Sequence, residues 1–377
     1  METPEFRTQL TAWLAGHAGE LDRFRRLPTD LDGQFKVLRD LQRLLYDAGW
    51  LRWGWPEPVG GLGGSAVLRG VLSEELAAAG YPPPFSFGMM EVLAPAVARF
   101  APDIAAWALP PLLAGDESWC QGFSEPEAGS DLASLRLRAT DEGDHWTVDG
   151  QKIWTSWAQY ADRCLLLART GTTEEAHRGI TALFVDMDSP GLTVRPLRAM
   201  SGDAEFAEMF FDDVAVPKER TIGAVGAGWA VTMYVLACER GAVAWQRQAW
   251  MHRRLADLCG CISDDGDRAA AWAGETFALL YALRLGSRRT LRRLAEGEIP
   301  GADASIDKIL MATAEQLLFD GAVDHIPATV LAADTPEAET WRTDYFYSRA
   351  ASIYGGTSEI QRNIVAERVL GLPRDGG

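Results

Sequence analysis

Three patterns of apolar and polar positions succeed one another along the chain. From residue 1 to about 115, apolar residues recur at spacings of three and four, as in LQRLLYDAGW (41–50) and VLRGVLSEELAAAG (67–80). That spacing predicts helices burying one face, with Gly49 and Gly80 as C-terminal stops. WGWPEPVGGLGGS (53–65) is rich in Pro and Gly and reads as a loop between two such helices. From 116 to 224 the period shortens. HWTVDG, RCLLLART, ITALFVDM, GLTVRPL and EMFFDDVAVP are short β-branched or aromatic runs separated by turn residues, which predicts a compact antiparallel sheet. From 225 onward long helical runs return without internal proline: WAVTMYVLACERGAVAWQRQAWMHRRLADL, RAAAWAGETFALLYALRLGSRRTLRRLAEG and ADASIDKILMATAEQLLFDGAV. The expected architecture is α+β and multi-domain: an N-terminal helical domain (1–115), a middle antiparallel β domain (116–224) and a C-terminal four-helix-type bundle (225–377).

Composition narrows the function. At 377 residues the chain exceeds the usual size of one core. Acidic residues outnumber basic ones 53 to 36, a net charge of −17, which argues against a nucleic-acid partner. The five cysteines are scattered, with no CxxC, and suggest reduced thiols in a cytoplasmic protein. The five histidines lack ligand spacing, so no metal site is expected. No apolar run is long enough to cross a bilayer, so no membrane span is expected.

Two stretches carry candidate chemistry. IYGGTSEIQR (353–362) places two glycines immediately before a helix start, a tight approach whose bare N–H groups suit an anionic ligand. Yet it holds no acid or base where the backbone is barest. LACERGAVAW (236–245) supplies a carboxylate instead. Helical neighbours of Glu239 are Val235, Leu236, Ala242 and Val243, and a carboxylate amid such a stripe is either paired with an arginine at a helix contact or functional.

Four stretches in order resemble the acyl-CoA dehydrogenase family over essentially the whole chain: GFSEPEAGSDLAS (122–134), DGQKIWTSWAQYADRCLLLAR (149–169), FFDDVAVP (210–217) and YGGTSEIQRNIVAERVLGLPR (354–374). The resemblance implies FAD-dependent α,β-dehydrogenation of an acyl thioester: a carboxylate removes the α-proton while the β-hydrogen leaves as hydride to the flavin. In medium-chain members the base stands where this chain has Gly355. In isovaleryl-type members it comes from the first bundle helix just before an Arg, and Glu239–Arg240 matches that pair. By the same matching, Phe123 and Ser124 would bond the pyrimidine edge of the flavin, Trp154 would lie beside its face, and the Ser156 hydroxyl would meet N5. Thr357 and Glu359 would hold the pyrophosphate and ribose side. The Gly355 N–H would polarise the thioester carbonyl. Ser130 would contact the pantetheine arm, although a simple turn hydroxyl serves nearly as well there. Val235, Arg240 and Tyr354 would border the substrate, with Tyr234 and Leu236 also helping to set the pocket's depth.

Two family elements are absent. The RxxFG and QxxGGxG segments of homotetrameric members hold the neighbouring subunit's FAD; here the matching regions read RRLADLCGCISDDGDRAA and LLFDGAVDHIPATVLAADTPEAE. The resemblance therefore extends to actinobacterial members built as heterotetramers from two different chains, with this one as the base-bearing subunit. Coenzyme A or a carrier protein could bear the acyl group, and an electron-transfer flavoprotein would take the electrons. A catalytically silent or cofactor-sharing subunit, or a flavin oxidase or monooxygenase on the same fold, are the competing readings.

Overall fold

The computed structural model describes residues 1–262 and 266–373. Residues 263–265 of the acidic bundle connection and 374–377, including the last residue of the C-terminal signature, lie outside the described residues. The N-terminal third is helical, with Leu31–Asp47, Val67–Ala78, Phe87–Val92, Ala94–Phe100 and Pro102–Ala114 as its main elements. Gly49 and Gly80 adopt left-handed φ of +86° and +80° where their helices end, the conformation that only glycine enters without cost.

The middle third is a single eight-stranded sheet: β1 (Trp119–Gly122), β2 (Arg138–Asp141), β3 (His145–Ser156), β4 (Arg163–Arg169), β5 (Ile180–Asp186), β6 (Leu192–Leu197), β7 (Phe206–Pro217) and β8 (Thr221–Ile222). Its order is β6-β7-β3-β2-β4-β5-β8, with β1 also beside β4. Pairing is mostly antiparallel, but β1 and β2 both run parallel to β4, two contacts that hairpin turn signals cannot reveal. The unbroken apolar run in β4 has a physical reason: both of its faces are covered. Leu165 and Leu167 join the core shared with the N-terminal helices, whereas Cys164, Leu166 and Ala168 point into a second core with Leu183, Val185 and Met209.

The C-terminal third is built on Gly228–Cys238, Ala244–Cys259, Gly266–Ala295 and Ala304–His325. A further helix, Pro336–Ser348, fills the acidic stretch that the apolar pattern leaves unassigned. The bundle has its own core around Leu258, Leu280, Leu283, Leu318 and Phe319. The first bundle helix is less regular than its sequence suggests. A π-helical turn, Glu239–Val243, joins its two halves.

Candidate active site

Glu239 opens that π turn. One residue more per turn than an α-helix widens the backbone and changes the direction in which the local side chains point, a distortion common where helices carry function. Gly241 lets the turn press against the neighbouring helix, since a Cβ there would lie 2.8 Å from Leu294 Cδ1. The Glu239 carboxylate reaches across to the glycine pair. A Cβ on Gly355 would stand 2.5 Å from Glu239 Oε1 and 3.2 Å from Lys308 Cε. The absence of a side chain at 355 is thus what gives the carboxylate its place.

Gly355 and Gly356 both have left-handed φ, +63° and +91°. Gln361 fixes the turn they make: its Nε2 donates to Gly355 O at 3.0 Å. Thr357 is the N-cap of the helix Ser358–Arg368, its hydroxyl accepting from Ile360 N. Glu359 is exposed in the first turn of that helix, 3.7 Å from Arg362.

Burial pushes the Glu239 carboxyl above the usual carboxylate range, and the charges of Lys308 and then Arg240 oppose that rise. Lys308 is almost wholly buried, donates to Ala351 O and sits 4.1 Å from the centre of the Tyr354 ring. Desolvation lowers it to about 8, with Glu239 pulling the other way. Arg240 is lowered by burial, and its Nε is buried with no partner among the described residues. The Tyr354 phenol is pushed up, first by burial and then by Glu315. One acid, two bases and a phenol therefore share a poorly hydrated space around Gly355.

The second group of predicted residues lies on the rim of the sheet. Phe123 is buried and Ser124 half-buried just beyond β1. Their turn is pinned by Lys152, a fully buried lysine on β3 whose Nζ donates to Phe123 O at 3.1 Å and to Glu125 Oε1 at 2.7 Å. The same carboxylate accepts from the backbone N–H groups of Arg136 and Leu137, and Ile153 N donates to Ser124 O. Two residues further along β3, the pairing with β7 slips between Lys152 and Thr155. Trp154 occupies that irregularity with φ +61°, a costly conformation for a large side chain. Its indole is 60% exposed, meeting Phe206 edge-on. A core role for Trp154 is excluded. Ser156, half-buried, follows at the strand end.

The sheet rim and the bundle act on each other electrostatically. Glu205, at the entry to β7, accepts from Trp157 N through its backbone carbonyl. Burial raises its side chain to about 7, and its charge in turn raises Tyr347 and contributes to raising Tyr354 in the bundle. Glu239, Arg240, Gly355 and Tyr354 are thus gathered with Lys308, while Phe123, Ser124, Trp154 and Ser156 form a separate constellation on the rim. Ser130 is exposed in the turn beyond. Val235 is fully buried in the core instead of lining a cavity; Tyr234 does line one. Lys308 and Lys152 are the functional-looking residues that the apolar pattern conceals. The available signal was their rarity: the chain has only four lysines, and these two interrupt apolar stretches. No cluster of three or more His, Cys, Asp or Glu positioned for a metal occurs among the described residues.

An exposed indole held in a strained bulge, beside a backbone turn locked by a buried ion pair, is a ready platform for a planar ligand. The residues present fit the ring half of FAD. Comparison with known proteins points the same way. The N-terminal, middle and C-terminal domain models of acyl-CoA dehydrogenase match residues 17–116, 120–214 and 226–370. The acyl-CoA dehydrogenase IpdE1 of Mycobacterium tuberculosis is 38% identical, over 99% of each chain. Among solved structures, the Tcur3481-Tcur3483 steroid ACAD superposes with a TM-score of 0.83 at 28% identity, covering 99% of this chain and 98% of that one. The ChsE4-ChsE5 complex from Mycobacterium tuberculosis gives 0.79 at 28% identity over 99% of both chains.

Proposed function

Since the chain belongs to the acyl-CoA dehydrogenase family, we propose that it oxidises an acyl thioester at the α,β-bond with Glu239 as the base. The observation that carries this reading is the Glu239 carboxylate filling the space a side chain at 355 would take, its Oε1 2.5 Å from where a Cβ would stand. FAD, when bound, would supply the acceptor for the β-hydrogen. Every other part of the chemistry belongs to residues of the chain.

Glu239 takes the α-proton on a carboxylate oxygen. Its burial makes it a stronger base than a solvated carboxylate, and substrate that excludes water strengthens it further. Lys308 and then Arg240 oppose the rise that burial imposes and so favour the ionised form. The N–H of Gly355 donates to the thioester oxygen and stabilises the developing enolate, a contribution on the order of 3 kcal/mol for one such donor. Phe123 and Ser124 would hold the pyrimidine edge of the flavin, Trp154 would lie beside its ring, and Ser156 would meet its N5 side. Thr357, Glu359 and the N-terminus of the helix Ser358–Arg368 would take the phosphate and ribose portion. Ser130 and Tyr354 border the thioester and its pantetheine arm.

The partner is a second chain of the same fold that completes the FAD cradle. Two observations support this. The segments that hold a neighbour's FAD in homotetramers lack their motifs here. The helix Gly266–Ala295 also exposes Phe277, Tyr281 and Leu285 in one stripe, and it continues into Arg288, Arg289 and Arg292. Electrons would then leave to an electron-transfer flavoprotein. The test is anaerobic reduction of flavin in the co-expressed complex by acyl-CoA thioesters. Bleaching is expected in the complex, with flavin held substoichiometrically by the chain alone. A complex that binds flavin yet bleaches with no thioester overturns the reading.

A further inference from the structure

A small cavity lies against the first bundle helix beside Glu239. Cys238 and Ala242, one residue before and three after Glu239, line a cavity of about 40 Å³ reached by Tyr234 on the same helix. That space holds roughly one water or one small substituent. Its far wall is polar where a hydrocarbon pocket would be expected. Arg69, from the helix Val67–Ala78, and Glu91, from Phe87–Val92, meet there.

The two are not equally satisfied. Arg69 Nε donates to Glu91 Oε2 at 2.8 Å, its NH1 donates to Gly54 O at 2.6 Å, and the guanidinium lies 4.0 Å from the centre of the Trp55 ring. Glu91 is 1% exposed, and its other oxygen, Oε1, has no partner among the described residues. Buried carboxylate oxygens almost always have partners, and leaving one bare costs about 1–3 kcal/mol. A bare acceptor at the wall of a cavity beside the base is a vacant hydrogen-bonding position.

We infer that Glu91, held by Arg69, recognises a hydroxyl group on the acyl chain at a distance from the thioester. This deepens the proposed dehydrogenation and rests on it. A plain hydrocarbon leaves Oε1 unpaired. A carboxylate at the same place meets an arginine already neutralised by Glu91. Of the three, a hydroxyl alone completes the set in both protonation states of Glu91, whose pKa burial raises against the pull of Arg69: it donates to the ionised form and accepts from the protonated one. The remaining wall, Ala66, Pro95, Leu291 and Leu294, is apolar and suits the carbon that carries that hydroxyl.

The experiment uses the heteromeric complex carrying Glu239→Gln, so that binding is read without turnover. Calorimetry measures a ladder of acyl-CoA lengths, each in plain, terminal-hydroxyl and terminal-carboxyl form. At one length the hydroxyl form is expected to bind about tenfold tighter than the plain form, and the carboxyl form more weakly than either. Adding Glu91→Met takes the acceptor away and leaves the Arg69 guanidinium without its carboxylate, so the preference should move to the terminal-carboxyl form. Equal binding of plain and hydroxyl forms at every length, the result if the cavity holds only water, overturns the inference. So does a hydroxyl preference unchanged by Glu91→Met. Bleaching of the wild-type complex by the plain thioesters is scored separately. Its absence across the whole ladder removes the dehydrogenation reading itself, whereas its presence without selectivity removes only the role of Glu91.

Discussion

A single methyl group added at Gly355 probes the geometry on which catalysis depends. In Gly355→Ala the new Cβ would sit 2.5 Å from Glu239 Oε1, 3.1 Å from Glu239 Cδ and 3.2 Å from Lys308 Cε. The carboxylate must retreat by about 0.9 Å to restore an ordinary contact, and Lys308, pinned to Ala351 O, leaves little room on its side. A misplacement near 1 Å costs on the order of 100-fold in rate, so flavin reduction should slow by roughly 10- to 100-fold. The left-handed φ of +63° adds strain of about 1–2 kcal/mol, read as a lower Tm. Gly356→Ala is the control. It has similar backbone strain, at φ +91°, but its Cβ meets the Gln361 amide and not the base. Rapid-mixing reduction under anaerobic conditions, beside thermal melts of both variants, separates the effects. A Gly355→Ala complex that reduces as fast as wild type, or no slower than Gly356→Ala when both melt alike, refutes the reasoning.

Other consequences follow from the same contacts. Trp154→Ala should leave the melting temperature of the flavin-free chain within a degree or two, because the indole is exposed, while flavin retention falls; a core tryptophan would cost about 3–5 kcal/mol. Lys308→Met removes the largest charge opposing the rise of the Glu239 pKa. Because only the ionised carboxylate accepts a proton, activity is lost as pH falls through that pKa, so the acid limb of the reduction profile should move to higher pH and Lys308→Arg should restore it. Lys152→Met strands the buried Glu125 carboxylate. It should destabilise the fold by about 3–5 kcal/mol in chemical denaturation and release flavin by freeing the Phe123–Glu125 turn.

How much of this could be read from the chain depended on the range of the interactions. The three-part order was visible because period 3.6 and period 2 are local properties, and Gly49 and Gly80 mark helix ends by local sterics. The Glu239–Gly355 encounter was also within reach: a carboxylate in an apolar stripe and a glycine pair lacking any acid each imply something opposite. The π turn that places Glu239 was not, since ERGAV has no residue that forces it and the distortion comes from packing against Leu294 and its helix. Lys308 and Lys152 looked like ordinary charges because their partners, Ala351 O and Phe123 O, are backbone atoms far away in sequence. The left-handed strain at Trp154 is set by slippage between β3 and β7. Arg69 and Glu91 likewise gain meaning only when two short helices converge on the cavity. Val235, expected at the substrate, was drawn into the core because its apolar side chain suits that side of the helix equally well.

Proton removal itself offers the most direct test. The complex is incubated in D₂O with an acyl-CoA analogue that has acidic α-hydrogens but cannot be oxidised at the β-position, and exchange is followed by NMR. With Glu239 as the base, the wild-type complex washes deuterium into the α-position and Glu239→Gln slows that exchange by about 100- to 10,000-fold while flavin and analogue stay bound. Exchange at the wild-type rate in Glu239→Gln contradicts the account and assigns the proton to another group.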